Sequence, residues 1–209
     1  MSAQREPIFN APWPALAIVA AIVGGYALQS LFPQDPIIAR YGFSPAGFAA
    51  GERASVVTAL FIHGGWAHAL MNAAGALAFG APVARLFGLR VAGVAAFFAF
   101  YLICGVISIW SYALIHPGAQ IILVGASGAV SGLMGAVSRL LAGRGRLGPF
   151  LSAPVIGMAA AWVIINLLVA VLGLTPGMGQ TPVAWEAHLT GYAAGLLLVG
   201  PFAWALRRS

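Results

Sequence analysis

Six apolar stretches, each about as long as a membrane crossing, follow one another along this chain: 12–32, 66–87, 91–114, 121–141, 151–174 and 184–206. A helix needs about 20 predominantly apolar residues to cross a hydrocarbon core about 30 Å thick. In lipid a chain must satisfy its own backbone polar groups, so helices are the form such stretches take. Composition agrees. The chain is 61% hydrophobic and 7% charged, whereas soluble domains carry about 25% charged residues. So little charge could not cover a globule in water, which excludes a soluble protein, a disordered chain and a nucleic-acid binder. The expected fold is an all-α membrane protein: one domain over 1–209, a polytopic bundle of six transmembrane helices with a long outer first loop. The first stretch, preceded by Arg5, is long for the apolar region of a signal peptide and reads as a retained span.

Every basic residue is arginine. Arg5, Arg85, Arg90, Arg139, Arg144, Arg146, Arg207 and Arg208 fall on one side of the six spans, and only Arg40 and Arg53 on the other. The positive-inside bias places both termini in the cytoplasm, so spans two, four and six begin at the outer face. Loop 33–65 lies outside and is long enough to expect a function; its apolar run 53–62 reads as an interfacial helix. Size and the absence of a targeting segment point to a bacterial inner membrane. Cys104, in an apolar run, reads as an inert packing thiol. Gly128/Gly132 and Gly191/Gly195 are i,i+4 pairs of the kind that let membrane helices approach closely.

Polar residues within spans are expensive and default to functional candidates. Span two carries His68 and Asn72, one helical turn apart on one face, with His63 just before them. Span four carries Ser127, Ser131 and Ser138, span five Asn166, span six His188 and Thr190. His68, Asn72, Ser127 and His188 all lie near the starts of outward-facing spans, hence at similar depth. Span four admits two readings. Its helix starts at Ile121, or 121–126 is extended and the helix starts at Ser127; Gly125 and Gly128 favour the second. A serine at a helix N-terminus sits where free N–H groups and the dipole favour an oxyanion.

Acyl transfer needs a nucleophile, a base and oxyanion donors. Ser127 can be the nucleophile and His188 the base, with the Ser127 N–H, the Asn72 amide and the His68 ring as donors. The four acids are Glu6, Asp35, Glu52 and Glu186; none is placed as a third member, so the reading is a Ser–His dyad. A single loop aspartate rules out an aspartyl intramembrane protease, and no His-Glu-x-x-His motif is present. No metal and no cofactor are implied. Other polar residues have plainer readings: His63 bonding first-loop backbone, His116 in a turn, Asn166 as interhelical glue, Met178 as loop filler. Trp13, Trp185 and Trp204 fit interfacial anchors.

Phe61-Ile62-His63-Gly64-Gly65-Trp66-Ala67-His68-Ala69-Leu70-Met71-Asn72 resembles the second-helix signature of the rhomboid intramembrane serine proteases. Val124-Gly125-Ala126-Ser127-Gly128, followed by Gly132 and Gly135, resembles their nucleophile motif. Ala187-His188-Leu189-Thr190-Gly191 with Gly195 resembles their sixth-helix motif. The resemblance implies cleavage of membrane-anchored protein substrates near the outer face, with Ser127 as nucleophile, His188 as base, and His68 and Asn72 at the oxyanion. His63, Gly125, Gly128, Gly191 and Gly195 are then structural or accessory. Three places depart from the family pattern. The first-loop Trp-Arg pair falls on Ala54 and Ser55, an acidic residue after helix two is replaced by Ala84, and the aromatic four residues after the serine is Ser131. That ring would stack on the catalytic histidine. Two other readings stay open from the residues: a non-proteolytic scaffold binding client transmembrane helices, and a small transporter, against which the apolar inner halves of the spans argue.

Overall fold

The computed structural model of the protein describes residues 10–172 and 184–208; Arg5 and Met178 lie outside them. Six helices of sixteen residues or more stand among the described residues: α1 (Trp13–Gln29), α5 (Trp66–Phe87), α6 (Val91–Ile115), α7 (Ser127–Ala142), α8 (Ala153–Leu172) and α9 (Trp185–Leu206). Between α1 and α5 lie the short α2 (Gln34–Tyr41), α3 (Pro45–Ala49) and α4 (Ser55–Thr58), the last running into a 3-10 turn, Ala59–Phe61. The protein is an all-α membrane bundle. Helices α5, α6, α8 and α9 are long and apolar enough to cross a membrane. Helices α1 and α7 are shorter, at 17 and 16 residues.

Helix α7 forms the centre. It packs against α9, α6, α5 and, more lightly, α8, while α1 lies on the far side of α5. Every α7 residue from Gly128 to Ser138 is buried by protein. Helix α8 is the opposite: its only buried residues are Val155 and Asn166, and its remaining apolar surface faces outward.

The α7–α9 contact is made by backbone. A Cβ at Gly191 would collide with the carbonyl oxygen of Gly128, one at Gly195 with that of Gly132, and one at Gly135 with that of Tyr192. Only glycine permits this approach, which replaces side-chain interdigitation by direct helix-to-helix contact. On the α6 side, Cys104 fills the space beside Gly132, and Leu60 of the 3-10 turn fits against Gly105.

Of the two readings of the fourth stretch, the second holds: 121–126 is not helical and α7 starts at Ser127. Sixteen residues rise about 24 Å, less than a hydrocarbon core about 30 Å thick. Its backbone is not left bare. Phe43 N–H donates to the Leu123 carbonyl at 2.9 Å and Leu123 N–H to the Phe43 carbonyl at 2.6 Å. Ala46 N–H donates to the Ala119 carbonyl at 3.1 Å, and Gly125 N–H to the Ala59 carbonyl at 2.9 Å. Irregular backbone at membrane depth requires such partners.

The first loop therefore dips into the bundle. The single interfacial helix expected over 53–62 is instead two short turns, because Ala59 and Leu60 are needed inside as a carbonyl partner and a packing wedge. Phe43, Val56, Ala59, Leu60 and Ile109 form a small core of their own. Gln29, at the end of α1, ties the loop's exit. Its Nε2 donates to the His63 carbonyl at 2.8 Å and its Oε1 accepts from His63 N–H at 3.1 Å.

If glycine contact holds α7 to α9, Gly195→Val lowers stability by about 3 kcal/mol. Gly24→Ala, in α1 where nothing lies within 4 Å of an added Cβ, stays within about 0.5 kcal/mol of wild type. Thermal unfolding in detergent micelles reads both.

Candidate active site

The first turns of α5, α7 and α9 converge at one end of the bundle, opposite the end that carries Arg139 and Arg207. There His188 Nε2 lies 2.8 Å from Ser127 Oγ. Ser127 is the first residue of α7, so its N–H and those of the next residues have no partner within the helix. The neighbouring glycines bring the two side chains together: Gly128 follows Ser127, and Gly191 lies one turn beyond His188. The first turn of α9 is also pinned by α6. Ser108 Oγ donates to the Ala187 carbonyl at 2.7 Å, and the Ser111 and Thr190 hydroxyls share a short hydrogen bond. At the very start of α9, Glu186 pairs with His116 at 3.0 Å, which points its carboxylate away from His188.

His68 and Asn72 are buried on one face of α5 and line the same cavity as Ser127 and His188. Gly64 N–H donates to His68 Nδ1 at 3.4 Å, a long bond. An imidazole nitrogen that accepts carries no proton, which leaves the neutral ring's N–H on Nε2. Asn72 Nδ2 is buried without a hydrogen-bond partner among the described residues. It and the His68 Nε2–H are two donors of α5 that line the cavity of Ser127. Gly125 makes room for one. It has φ +114°, and a Cβ there would sit 2.6 Å from His68 Nε2 and 3.4 Å from Asn72 Nδ2.

The cavity measures about 570 Å³. Beyond the polar cluster it is walled mainly by apolar side chains, among them Leu60, Met71, Phe79, Met134 and Val169. Such a cavity can hold an extended apolar peptide segment at Ser127 and, at its polar end, water.

His63 is tied to the first loop: its backbone bonds Gln29, and the Phe61 backbone acts on its ring, favouring the protonated form. The two ring nitrogens are buried without a hydrogen-bond partner among the described residues, and the ring lies 5.2 Å from that of His68 and 6.4 Å from that of Tyr26. Burial first, and then His68, pushes His63 down to about 4, so it is neutral at physiological pH. Ser131 turns away from His188 and donates to the Ser127 carbonyl at 2.7 Å.

Three contributors escaped the sequence reading. Ser108 and Ser111 looked like ordinary small residues in an apolar span. Gln29 lies at the end of its span, 34 residues from its partner. Asn166 is interhelical glue as expected, but its partner is the histidine itself: Asn166 Oδ1 lies 2.8 Å from His188 Nδ1.

Compared with known proteins, residues 50–205 match the model of the rhomboid domain, a range that contains every residue of this cluster. No curated protein matches the chain.

The crowding at Gly125 is testable against strain alone. Gly118→Ala, at φ +76° with open space around it, costs about 1 kcal/mol. Gly125→Ala costs about 2 kcal/mol or more and displaces the His68 ring, seen as a shifted His68 resonance in spectra of ¹⁵N-histidine-labelled protein. An unmoved His68 resonance would refute the collision.

Proposed function

The chain belongs to the rhomboid family of intramembrane proteases, and from that premise we propose that it is an active intramembrane serine endopeptidase working through Ser127 and His188. The observation that carries the reading is the 2.8 Å approach of Ser127 Oγ to His188 Nε2 inside a cavity that also receives His68 and Asn72. A packing serine and a helix-gluing histidine do not need two further donors aimed at the same space.

The reaction is acyl transfer. Ser127 Oγ attacks the carbonyl carbon of the scissile peptide bond while His188 Nε2 takes the hydroxyl proton. Negative charge forms on the carbonyl oxygen and is met by the Ser127 N–H, the Asn72 amide and the His68 Nε2–H. The dipole of α7 adds to their effect. The protonated His188 gives its proton to the departing amine, leaving an ester on Ser127. Water, deprotonated by His188, then hydrolyses the ester and restores the serine. Neutral donors suit this site, because a fixed cation in an apolar cavity would itself need a partner.

The substrates are membrane-anchored proteins whose helix is locally unwound, since an intact helix keeps its carbonyls in its own hydrogen bonds. Residues 1–209 act as one domain of six spans, with the short α7 and α1 completing the set of four longer helices. The arginine distribution supports cytoplasmic termini and a serine near the outer face, and the size of the chain supports a bacterial inner membrane.

A fluorophosphonate probe on detergent-solubilised protein tests the reading. Wild type is labelled at Ser127, while Ser127→Ala and His188→Ala lose labelling and lose cleavage of a single-span substrate in proteoliposomes. His68→Ala and Asn72→Ala each lower kcat by about 10²-fold, the effect of removing one oxyanion donor. A folded wild type that no such probe labels would sink the protease reading in favour of a client-binding scaffold.

A further inference from the structure

We infer that Asn166 of α8 is a positioning residue that sets the tautomer and ring orientation of His188, so that the working unit is a Ser127–His188–Asn166 relay rather than a bare pair. The inference rests on the protease reading above for its catalytic meaning, and on hydrogen-bond direction for its geometry.

The direction follows from one fixed point. Asn166 Nδ2 lies 2.9 Å from the Trp162 backbone carbonyl, one turn earlier in α8. A carbonyl oxygen only accepts, so the amide nitrogen must face it, and the amide oxygen is left facing His188. Asn166 Oδ1 lies 2.8 Å from His188 Nδ1 and, being an oxygen without hydrogen, also only accepts. Nδ1 must therefore carry the proton. In a neutral imidazole that leaves the lone pair on Nε2, the nitrogen 2.8 Å from Ser127 Oγ. The serine hydroxyl then donates to Nε2. This is the tautomer a general base needs; the other would set an N–H against the hydroxyl and leave no lone pair for its proton. The Trp162 carbonyl, the Asn166 amide, the His188 ring and the Ser127 hydroxyl form one chain in which each bond fixes the sense of the next.

The placement matches a need. Ser131 stands where the family resemblance expects an aromatic ring over the histidine, and its hydroxyl is bonded to the Ser127 carbonyl. His188 is held from α8 instead, by the Asn166 amide and beside it the Trp162 ring, 6.0 Å away and tilted by 36°. Interhelical glue alone would use any partner on α9. Asn166 is one of only two buried residues on α8, and its oxygen goes to the one ring whose tautomer matters. The uncharged amide also avoids burying a carboxylate, consistent with the lack of an acid near His188.

The test reads the tautomer directly. In wild-type protein labelled with ¹⁵N-histidine, the His188 signal, assigned by its loss in His188→Ala, shows a protonated Nδ1 and an unprotonated Nε2. Asn166→Leu keeps the volume and removes the acceptor. It loses that single tautomer, and the rate of fluorophosphonate labelling at Ser127 falls on the order of tenfold or more, the factor one oriented hydrogen bond supplies. Asn166→Asp keeps an acceptor oxygen and retains labelling. Leu168→Ala, at an exposed position of the same helix, changes neither readout. A wild-type His188 protonated on Nε2 overturns the inference, even if Asn166→Leu fails to fold. So does an Asn166→Leu protein with wild-type tautomer and labelling rate. Failure of the protease reading looks different: wild type itself is then unlabelled, while the tautomer spectra still report on Asn166.

Discussion

The backbone contact between α7 and α9 is the constraint on which the site depends. Two helices separated by ordinary side chains stand 8–10 Å apart, too far for a serine and a histidine at their first turns to meet with short side chains alone. Glycine at 128, 132, 191 and 195 removes that spacing. One of these approaches, Gly191 on Gly128, lies immediately beside Ser127 and one turn beyond His188, so the helix packing and the meeting of the two side chains share a feature. Serines on α6 then fix the rotation of α9, by bonding the Ala187 carbonyl and Thr190. Without them a close contact alone would leave His188 free to turn.

A second constraint comes from the late start of α7. The helix begins only at Ser127, so residues 119–126 arrive there as non-helical chain. The first loop bonds three of them, Ala119, Leu123 and Gly125, through Ala46, Phe43 and Ala59. This explains why a loop of such length is folded into the bundle, and why its exit at His63 is clasped from both sides by the Gln29 amide. The site's left wall is thus a loop–segment ladder and its right wall a helix pair.

The spans were legible because apolar length is a strong signal in a chain with 7% charge. So was the cluster of Ser127, His188, His68 and Asn72, since polar groups at matching depth in three spans stand out against an apolar background. The start of α7 followed from arithmetic on helix rise together with Gly125. Other features left no such mark. Helix α8 is apolar almost all round, so no stripe of polarity reveals which face meets the protein, and the facing of Asn166 toward His188 depends on a rotation the sequence does not encode locally. Ser108 and Ser111 act through hydroxyls that in an apolar helix also bond their own backbone, as Ser111 does to the Ser108 carbonyl. Gln29 and His63 meet only once α1 has packed on α5. The family resemblance located a missing ring at Ser131, but not the residues that occupy its role.

Hydrogen-bond accounting separates the scaffold from the chemistry. Most buried polar side chains here end on a backbone carbonyl: Ser108 on Ala187, Ser131 on Ser127, Ser138 on Gly135. These bonds satisfy a donor that hydrocarbon would penalise, and they leave the hydroxyl no proton to donate to a ligand. Asn72 departs from that rule, as do the His63 ring, Ser152, Trp162 and Tyr192, each with a buried polar atom that meets no hydrogen-bond partner among the described residues. An unmet buried donor costs about 1–3 kcal/mol, and at Asn72 that donor lines the same cavity as Ser127. Asn166 lies between the two classes. One end of its amide is satisfied by backbone like the scaffold serines, and the other faces His188. It therefore ties α8, the least buried of the six long helices, to α9, and α8 cannot shift away from α9 without releasing His188.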